Sequence, residues 1–162
     1  MRSLVALFVV IGCLACESAA MQSAPRGGGA KPAISACSML TREIVMQVSP
    51  YEKQALDLVL RIPPQEDAVG SGSACSYGGI TMQVDPFAPA VFERQIPKEM
   101  APLAGLGDVA HFGDLRKQWA QLYVRAGAHV LTVQMAIPDG RTAASIQSNV
   151  VALAKAILPK LK

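Results

Sequence analysis

The chain has 162 residues with an apolar share of 51%, enough for a single domain with a core of its own. Its net charge is +3 at neutral pH, and the basic residues are scattered along the chain. Scattered basic residues do not form the charged stripe that nucleic acid requires, so we expect no nucleic-acid partner.

The amino terminus has the three parts of a secretory signal peptide. Arg2 supplies a positive charge, residues 4–11 form an unbroken apolar run, and small residues follow. The apolar run is shorter than the roughly 20 residues that a membrane-spanning helix needs. We therefore expect export, and a mature chain that does not span the membrane.

Three processing sites compete after the apolar run. Gly12-Cys13 and Ala15-Cys16 each place a small residue before a cysteine, as in a bacterial lipoprotein signal, and cleavage after Ala20 would release a soluble product. Cysteine parity argues against Cys13, because its lipidation leaves Cys16 as an odd thiol. Cleavage before Cys16 and cleavage after Ala20 both leave Cys37 and Cys75 as a pair, and of these two sites we favour Cys16. We predict a signal segment over residues 1–16, with alternative ends at 12 or 20. Lipidation at Cys16, or alternatively at Cys13, would anchor the protein to the membrane of the cell envelope. The soluble alternative is a periplasmic or secreted protein.

Residues 17–35 predict a flexible tether. They contain small residues, a glycine triplet and two prolines, and they cannot bury enough apolar surface to offset the entropy of ordering. The remaining residues, 36–162, predict one globular domain.

The first half of this domain predicts one helix and two strands. Residues 36–46 predict the start of a helix, because Thr41 can cap free N–H groups and Glu43 places negative charge in the first turn. Residues 56–62 predict a short strand, although Leu58-Val59-Leu60 would also suit a helix. Residues 63–74 predict a polar loop. Residues 75–84 predict a second strand, in which Ile80, Met82 and Val84 share a face.

The second half predicts a short helix over residues 89–100 and a loop over 103–110 that leads into a strand near Phe112, with a turn at Gly113-Asp114. Strands over 119–125 and 129–137 flank a turn at Gly127. A final helix is predicted by an apolar stripe at Ala143, Ile146, Val150, Leu153 and Ile157. The fold class is α+β, an antiparallel sheet of about four to six strands with flanking helices and a long C-terminal amphipathic helix.

Cys37 and Cys75 predict a structural disulfide. No C-x-x-C motif is present and no histidine lies near either cysteine in sequence, so metal ligation and redox chemistry lack support. In an exported protein, such a pair is typical of a cross-link.

No catalytic, cofactor or metal-binding motif is evident. Gly105-Leu106-Gly107-Asp108 lacks the third glycine of a phosphate-binding loop, and we expect a turn in which Asp108 accepts local N–H bonds. His111 and His129 are expected to be core or edge residues, and Met82 and Met135 to pack in the core rather than to bind copper. We therefore expect no cofactor and no metal.

Four segments resemble a group of small bacterial lipoproteins of unknown function, best known from actinobacteria. They are Cys37-Ser38-Met39-Leu40-Thr41, Cys75-Ser76-Tyr77, the run from Gly105 to Ala110, and a strand hairpin followed by a terminal helix. The resemblance covers residues 36–158 and implies an α+β domain with a Cys37–Cys75 bridge. It carries over no catalytic residues, because the group has no assigned activity.

Three functional hypotheses follow. The first is a lipid-anchored envelope protein that binds a protein partner or a small apolar ligand without catalysis. The second is a hydrolase-like envelope enzyme with a site assembled around Asp108 and His111. The third is a purely structural envelope protein, which predicts no concave apolar pocket.

Overall fold

The computed structural model describes residues 34–86, 92–94 and 96–161. The predicted signal segment, both candidate lipidation cysteines and residues 17–33 of the predicted tether lie outside the described residues. The helix predicted over residues 89–100 lies partly outside them.

The described chain forms an antiparallel sheet with helices packed against one face, which confirms the α+β class. The sheet has seven strands, more than the four to six predicted. In chain order they are β1 (Gln65–Val69), β2 (Gly72–Tyr77), β3 (Ile80–Pro86), β4 (Ala101–Pro102), β5 (Val109–Leu115), β6 (Trp119–Ala126) and β7 (His129–Ala136). Their spatial order is β1-β2-β3-β7-β6-β5-β4.

The helices are α1 (Ala36–Met39), α2 (Arg42–Val48), α3 (Lys53–Val59) and α4 (Gln147–Ile157). A short 3-10 turn at Leu158–Leu161 follows α4. Thr41 caps α2 as predicted, because its hydroxyl accepts a hydrogen bond from the N–H of Ile44. The predicted apolar stripe is buried at all five positions. Its last three residues lie on α4, and the first two lie at a 3-10 turn, Ala144–Ile146, that leads into it.

The strand predicted over residues 56–62 is wrong, because this stretch belongs to α3 and its C-terminal turn. Leu56 and Leu60 are both buried while Leu58 is 64% exposed. A buried pair four residues apart is the spacing of a helix, and the apparent alternation of Leu56, Leu58 and Leu60 had concealed it.

The loop predicted over residues 63–74 is also wrong, because it contains β1 and the start of β2. Strand β1 lies at the edge of the sheet and is exposed along its whole length. An edge strand that buries neither face shows no apolar alternation, so its sequence pattern is that of a loop.

The predicted strand over 75–84 is two strands joined by a turn at Gly78-Gly79, where both glycines have positive φ. The turn predicted at Gly113-Asp114 is wrong as well, since β5 continues to Leu115 and the chain turns at Arg116 and Lys117. The absence of a side chain at Gly113 instead lets Met100 pack closely against β5, because a Cβ at this position would lie 2.9 Å from Cγ of Met100.

The core lies between the sheet and the helices. Met82 and Met135 are fully buried in it, as predicted from their strand faces. Polar contacts also join α1 and α2 to the C-terminal segment. Asn149 Nδ2 of α4 donates to the carbonyl of Val48 at the end of α2 (2.9 Å). Lys160 Nζ, in the 3-10 turn, donates to the carbonyl of Met39 at the end of α1 (3.2 Å).

Candidate functional site

An open cleft of about 690 Å³ lies at the end of the sheet where β6 turns into β7. Its walls come from three segments that are distant in sequence. They are residues 105–108 before β5, residues 126–129 at the β6–β7 turn, and the end of α4 with the following 3-10 turn. Clefts of about 300–1,000 Å³ are the usual size of small-molecule sites.

Asp108 fixes one wall of the cleft. Its backbone N–H donates to the carbonyl of Arg125 (2.8 Å), and its Oδ2 accepts the N–H of Gly127 (2.8 Å). Arg125 Nε lies 3.9 Å from the same carboxylate oxygen. Asp108 therefore accepts a backbone bond as predicted, but from a residue 19 positions away rather than a local one.

Gly107 explains why this loop can approach the hairpin so closely. Its φ is +61°, and a Cβ at this position would collide with the carbonyl oxygen of Arg125 and lie 2.5 Å from Cγ1 of Val124. Only glycine has both the backbone freedom and the small volume needed here.

The cleft combines apolar walls with very few charges. The apolar part comes from the side chains of Leu106, Leu158, Pro159 and Leu161. Asp108 is paired as described above, and Lys155, on the last turn of α4, makes no hydrogen bond or ion pair with any described residue. His129 is half-buried at the start of β7 and also lines the cleft. This is the composition of a ligand site, in which apolar walls supply affinity and a few polar groups orient the ligand.

The structure does not bring Asp108 and His111 together. The carboxylate of Asp108 is bound at the β6–β7 turn, whereas His111 lies on the face of β5 opposite the buried Ala110 and Phe112. His111 Nδ1 is buried without a hydrogen-bond partner among the described residues. No carboxylate of the described chain orients this imidazole, so it lacks the third group that a nucleophile–base pair would need.

The same outer face of the sheet carries polar groups that bond to one another. Gln121 Nε2 donates to the hydroxyl of Tyr123 (3.0 Å), and Gln83 Nε2 donates to Oδ2 of Asp85 (2.7 Å). Burial raises the pKa of Tyr123 and that of Asp85. These shifts follow from desolvation, which disfavours the charged form of each group.

Cys37 and Cys75 form the predicted disulfide, which ties α1 to β2. Among residues 34–86, 92–94 and 96–161, no group of three or more histidine, cysteine or acidic side chains could hold a metal ion.

A second groove, of about 350 Å³, lies at the opposite end of the sheet beside α3. It is lined by apolar side chains that include Val59, Ile62 and Trp119, and no charged side chain contributes to it. The larger cleft is the better candidate because it also offers charged groups to a ligand.

Sequence reasoning missed most of the cleft. It placed Lys155 at the carboxyl end of the last helix, but only as a complement to the helix dipole. Leu161 continues the apolar stripe four residues beyond Ile157, and this spacing was the available signal that the apolar surface extends past the helix.

Compared with protein-family models, curated proteins and solved structures, the chain shows no match. In the part of the chain that the structure describes, no helix is both long and apolar enough to cross a bilayer.

Proposed function

We propose that this chain is an exported envelope protein, anchored by a lipid on Cys16, whose domain works by binding a small apolar ligand. The observation that carries the binding role is the cleft of about 690 Å³, with its apolar walls and with Lys155, which pairs with none of the described residues. A purely structural protein would need no such concavity.

Two further observations support export and anchoring. The first twenty residues have the basic, apolar and small-residue order of a signal peptide, with cysteines placed as in lipoprotein signals. The Cys37–Cys75 disulfide agrees with an oxidising compartment outside the cytosol.

Export and anchoring are tested by the intact mass of the mature protein from a bacterial host. We expect a chain that begins at Cys16, carries the mass of the acyl groups and has two fewer hydrogens from the disulfide. Cys16→Ser should abolish the acyl mass, and Cys13→Ser should leave it unchanged. An unprocessed chain in the cytoplasm with free thiols would contradict the proposal.

Binding is tested with an environment-sensitive apolar dye. We expect saturable fluorescence at one site per chain for the exported protein carrying Cys13→Ser and Cys16→Ser, which removes the protein's own lipid. Ala128→Trp should reduce dye binding, because Ala128 lines the cleft, whereas Ala104→Trp in the neighbouring loop should not. Unchanged dye binding in Ala128→Trp would exclude the cleft as the site.

A further inference from the structure

The cleft lies at the end of the domain where the described chain begins. Ile34 and His129 line a small cavity of about 70 Å³ together with Gly72 and Pro86, and His129 also lines the cleft. The β3–β7 register supports this position, since His129 pairs with Pro86 at the last residue of β3.

This position matters if the chain is anchored at Cys16. Seventeen residues lie between Cys16 and Ile34, and a flexible segment of that length has a root-mean-square span of about 20–25 Å. The cleft then lies at the tethered end of the domain, within about 25 Å of a membrane whose lipids are amphiphiles.

The charges of the cleft select among amphiphiles. The negative charge of Asp108 is already offset by the N–H of Gly127 and the guanidinium of Arg125. Lys155 is the one charged group of the cleft lining that is left unpaired by the described residues, and it lies beside the apolar Leu158. A ligand with an apolar body and an anionic head matches both features.

We propose that the cleft binds one acyl chain of an anionic amphiphile, with its carboxylate or phosphate head at Lys155 and His129. This inference rests on the proposed binding function and specifies its ligand class. The chain lies against Leu106, Leu158 and Leu161, and the head stays at the exposed margin of the cleft where Lys155 stands.

The test compares amphiphiles of equal chain length, each displacing the apolar dye from the protein carrying Cys13→Ser and Cys16→Ser, below micelle-forming concentrations. The probes are hexadecanoate, hexadecyl phosphate, hexadecanol and hexadecyltrimethylammonium. We expect both anions to bind about two- to fivefold more tightly than the alcohol, the range expected for one exposed ion pair. We expect the cation to bind most weakly. Tighter binding of hexadecanoate would indicate a carboxylate ligand, and tighter binding of hexadecyl phosphate would indicate a phosphate lipid.

Variants at Lys155 isolate its charge. Lys155→Gln should bring the anions to the affinity of the alcohol, and Lys155→Arg should preserve their advantage. Lys53→Gln is the matched control, because it removes the same charge from α3, beside the opposite end of the sheet. A chain-length series should show about a fourfold gain in affinity for each added methylene until the cleft is full.

The outcomes separate the two proposals. Equal binding of anions and alcohol, or an advantage that survives Lys155→Gln, overturns the anionic ligand and leaves the cleft as a binding site. Saturable dye binding that no amphiphile displaces would also overturn the anionic ligand and leave the cleft as a binding site. Absence of any dye binding overturns the ligand class and the proposed function together.

Discussion

At the scale of single residues, Ser73 and Glu66 join the start of α1 to the edge of the sheet. The fully buried Ser73 hydroxyl accepts the N–H of Ala36 (3.0 Å) and donates to Oε1 of Glu66 (2.7 Å). Hydrogen bonds from the side chains of Ser35 and Ser73 hold the pKa of Glu66 below its usual value of 4.5. The charged form of Glu66 is thus favoured by folding.

A lowered pKa in the folded state means that Glu66 stabilises the fold fully above about pH 4.5 and loses this contribution as the pH falls through the folded pKa. We expect Glu66→Gln to be less stable than the wild type at pH 7, with a difference that narrows below pH 4.5. Chemical denaturation across pH 3–7 measures this, and Asp67→Asn on the same exposed strand is the control. Equal pH profiles for Glu66→Gln and the wild type would contradict the assignment.

Ser73→Ala tests the same link at neutral pH. It removes the acceptor for one backbone N–H and a donor to the carboxylate, so we expect a loss of about 1–3 kcal/mol in the free energy of unfolding. Ser76→Ala on the exposed face of β2 should change stability by less than about 0.5 kcal/mol.

The loop that forms one wall of the cleft allows a comparison between two glycines. Gly105 and Gly107 both have positive φ, but a Cβ on Gly105 would meet nothing within 4 Å, whereas one on Gly107 would collide with Arg125. Gly105→Ala should cost about 1–2 kcal/mol for the left-handed backbone alone. Gly107→Ala should cost about 1–3 kcal/mol more, because the loop must move away from β6. Thermal or urea unfolding measures both variants, and equal costs would mean that the loop is not held against β6.

At the scale of elements, α4 is a buried helix and α3 lies partly in solvent. Leu153 of α4 is fully buried against the sheet, while Leu58 of α3 is 64% exposed. We expect Leu153→Ala to cost about 2–5 kcal/mol through lost burial and a residual cavity, and Leu58→Ala to cost less than about 0.5 kcal/mol. Urea denaturation midpoints compare the two, and similar losses would mean that α4 does not pack as described.

The sequence predicted some of these elements and not others. The stripe from Ala143 to Ile157 was readable because five apolar residues repeat at the helical period over fifteen positions, and its last three lie on α4. Residues 56–62 were too short for that test, since Leu56, Leu58 and Leu60 fit a strand as well as a helix. Strand β1 was not predicted, because an exposed edge strand lacks the apolar–polar alternation on which strand prediction depends.

At the scale of the whole molecule, one covalent link joins the first helix to the sheet. The Cys37–Cys75 disulfide closes a loop with a sequence separation of 38. The chain-entropy argument assigns such a link about 4 kcal/mol at most, with smaller values common.

We therefore expect a reducing agent to lower the free energy of unfolding by about 2–4 kcal/mol. The measurement is guanidinium denaturation with and without dithiothreitol. The double variant Cys37→Ala, Cys75→Ala is the control, and its denaturation midpoint should be the same with and without dithiothreitol. Identical midpoints for the wild type in both conditions would show that the two thiols are not joined in solution.

The candidate site shows how far sequence reasoning extends. Asp108 was singled out as an acceptor in a glycine-rich turn, yet its partner Gly127 lies 19 residues away. Nothing local in the sequence identifies which hairpin a loop will meet. Lys155, Leu158 and Leu161 join these residues only because α4 crosses the sheet and ends above the β6–β7 turn.

The sequence by itself determined the α+β class, the pairing of Cys37 with Cys75, the β6–β7 hairpin and the terminal helix. These features depend on periodicity and turn residues, which are local sequence patterns, and on the number of cysteines in the chain. Only the tertiary structure decided the number of strands in the sheet and the secondary structure of residues 56–74. It also decided the separation of Asp108 from His111 and the existence of the cleft. Each of these depends on which distant segments pack together, and that is set by the burial of the whole core rather than by any short stretch of the chain.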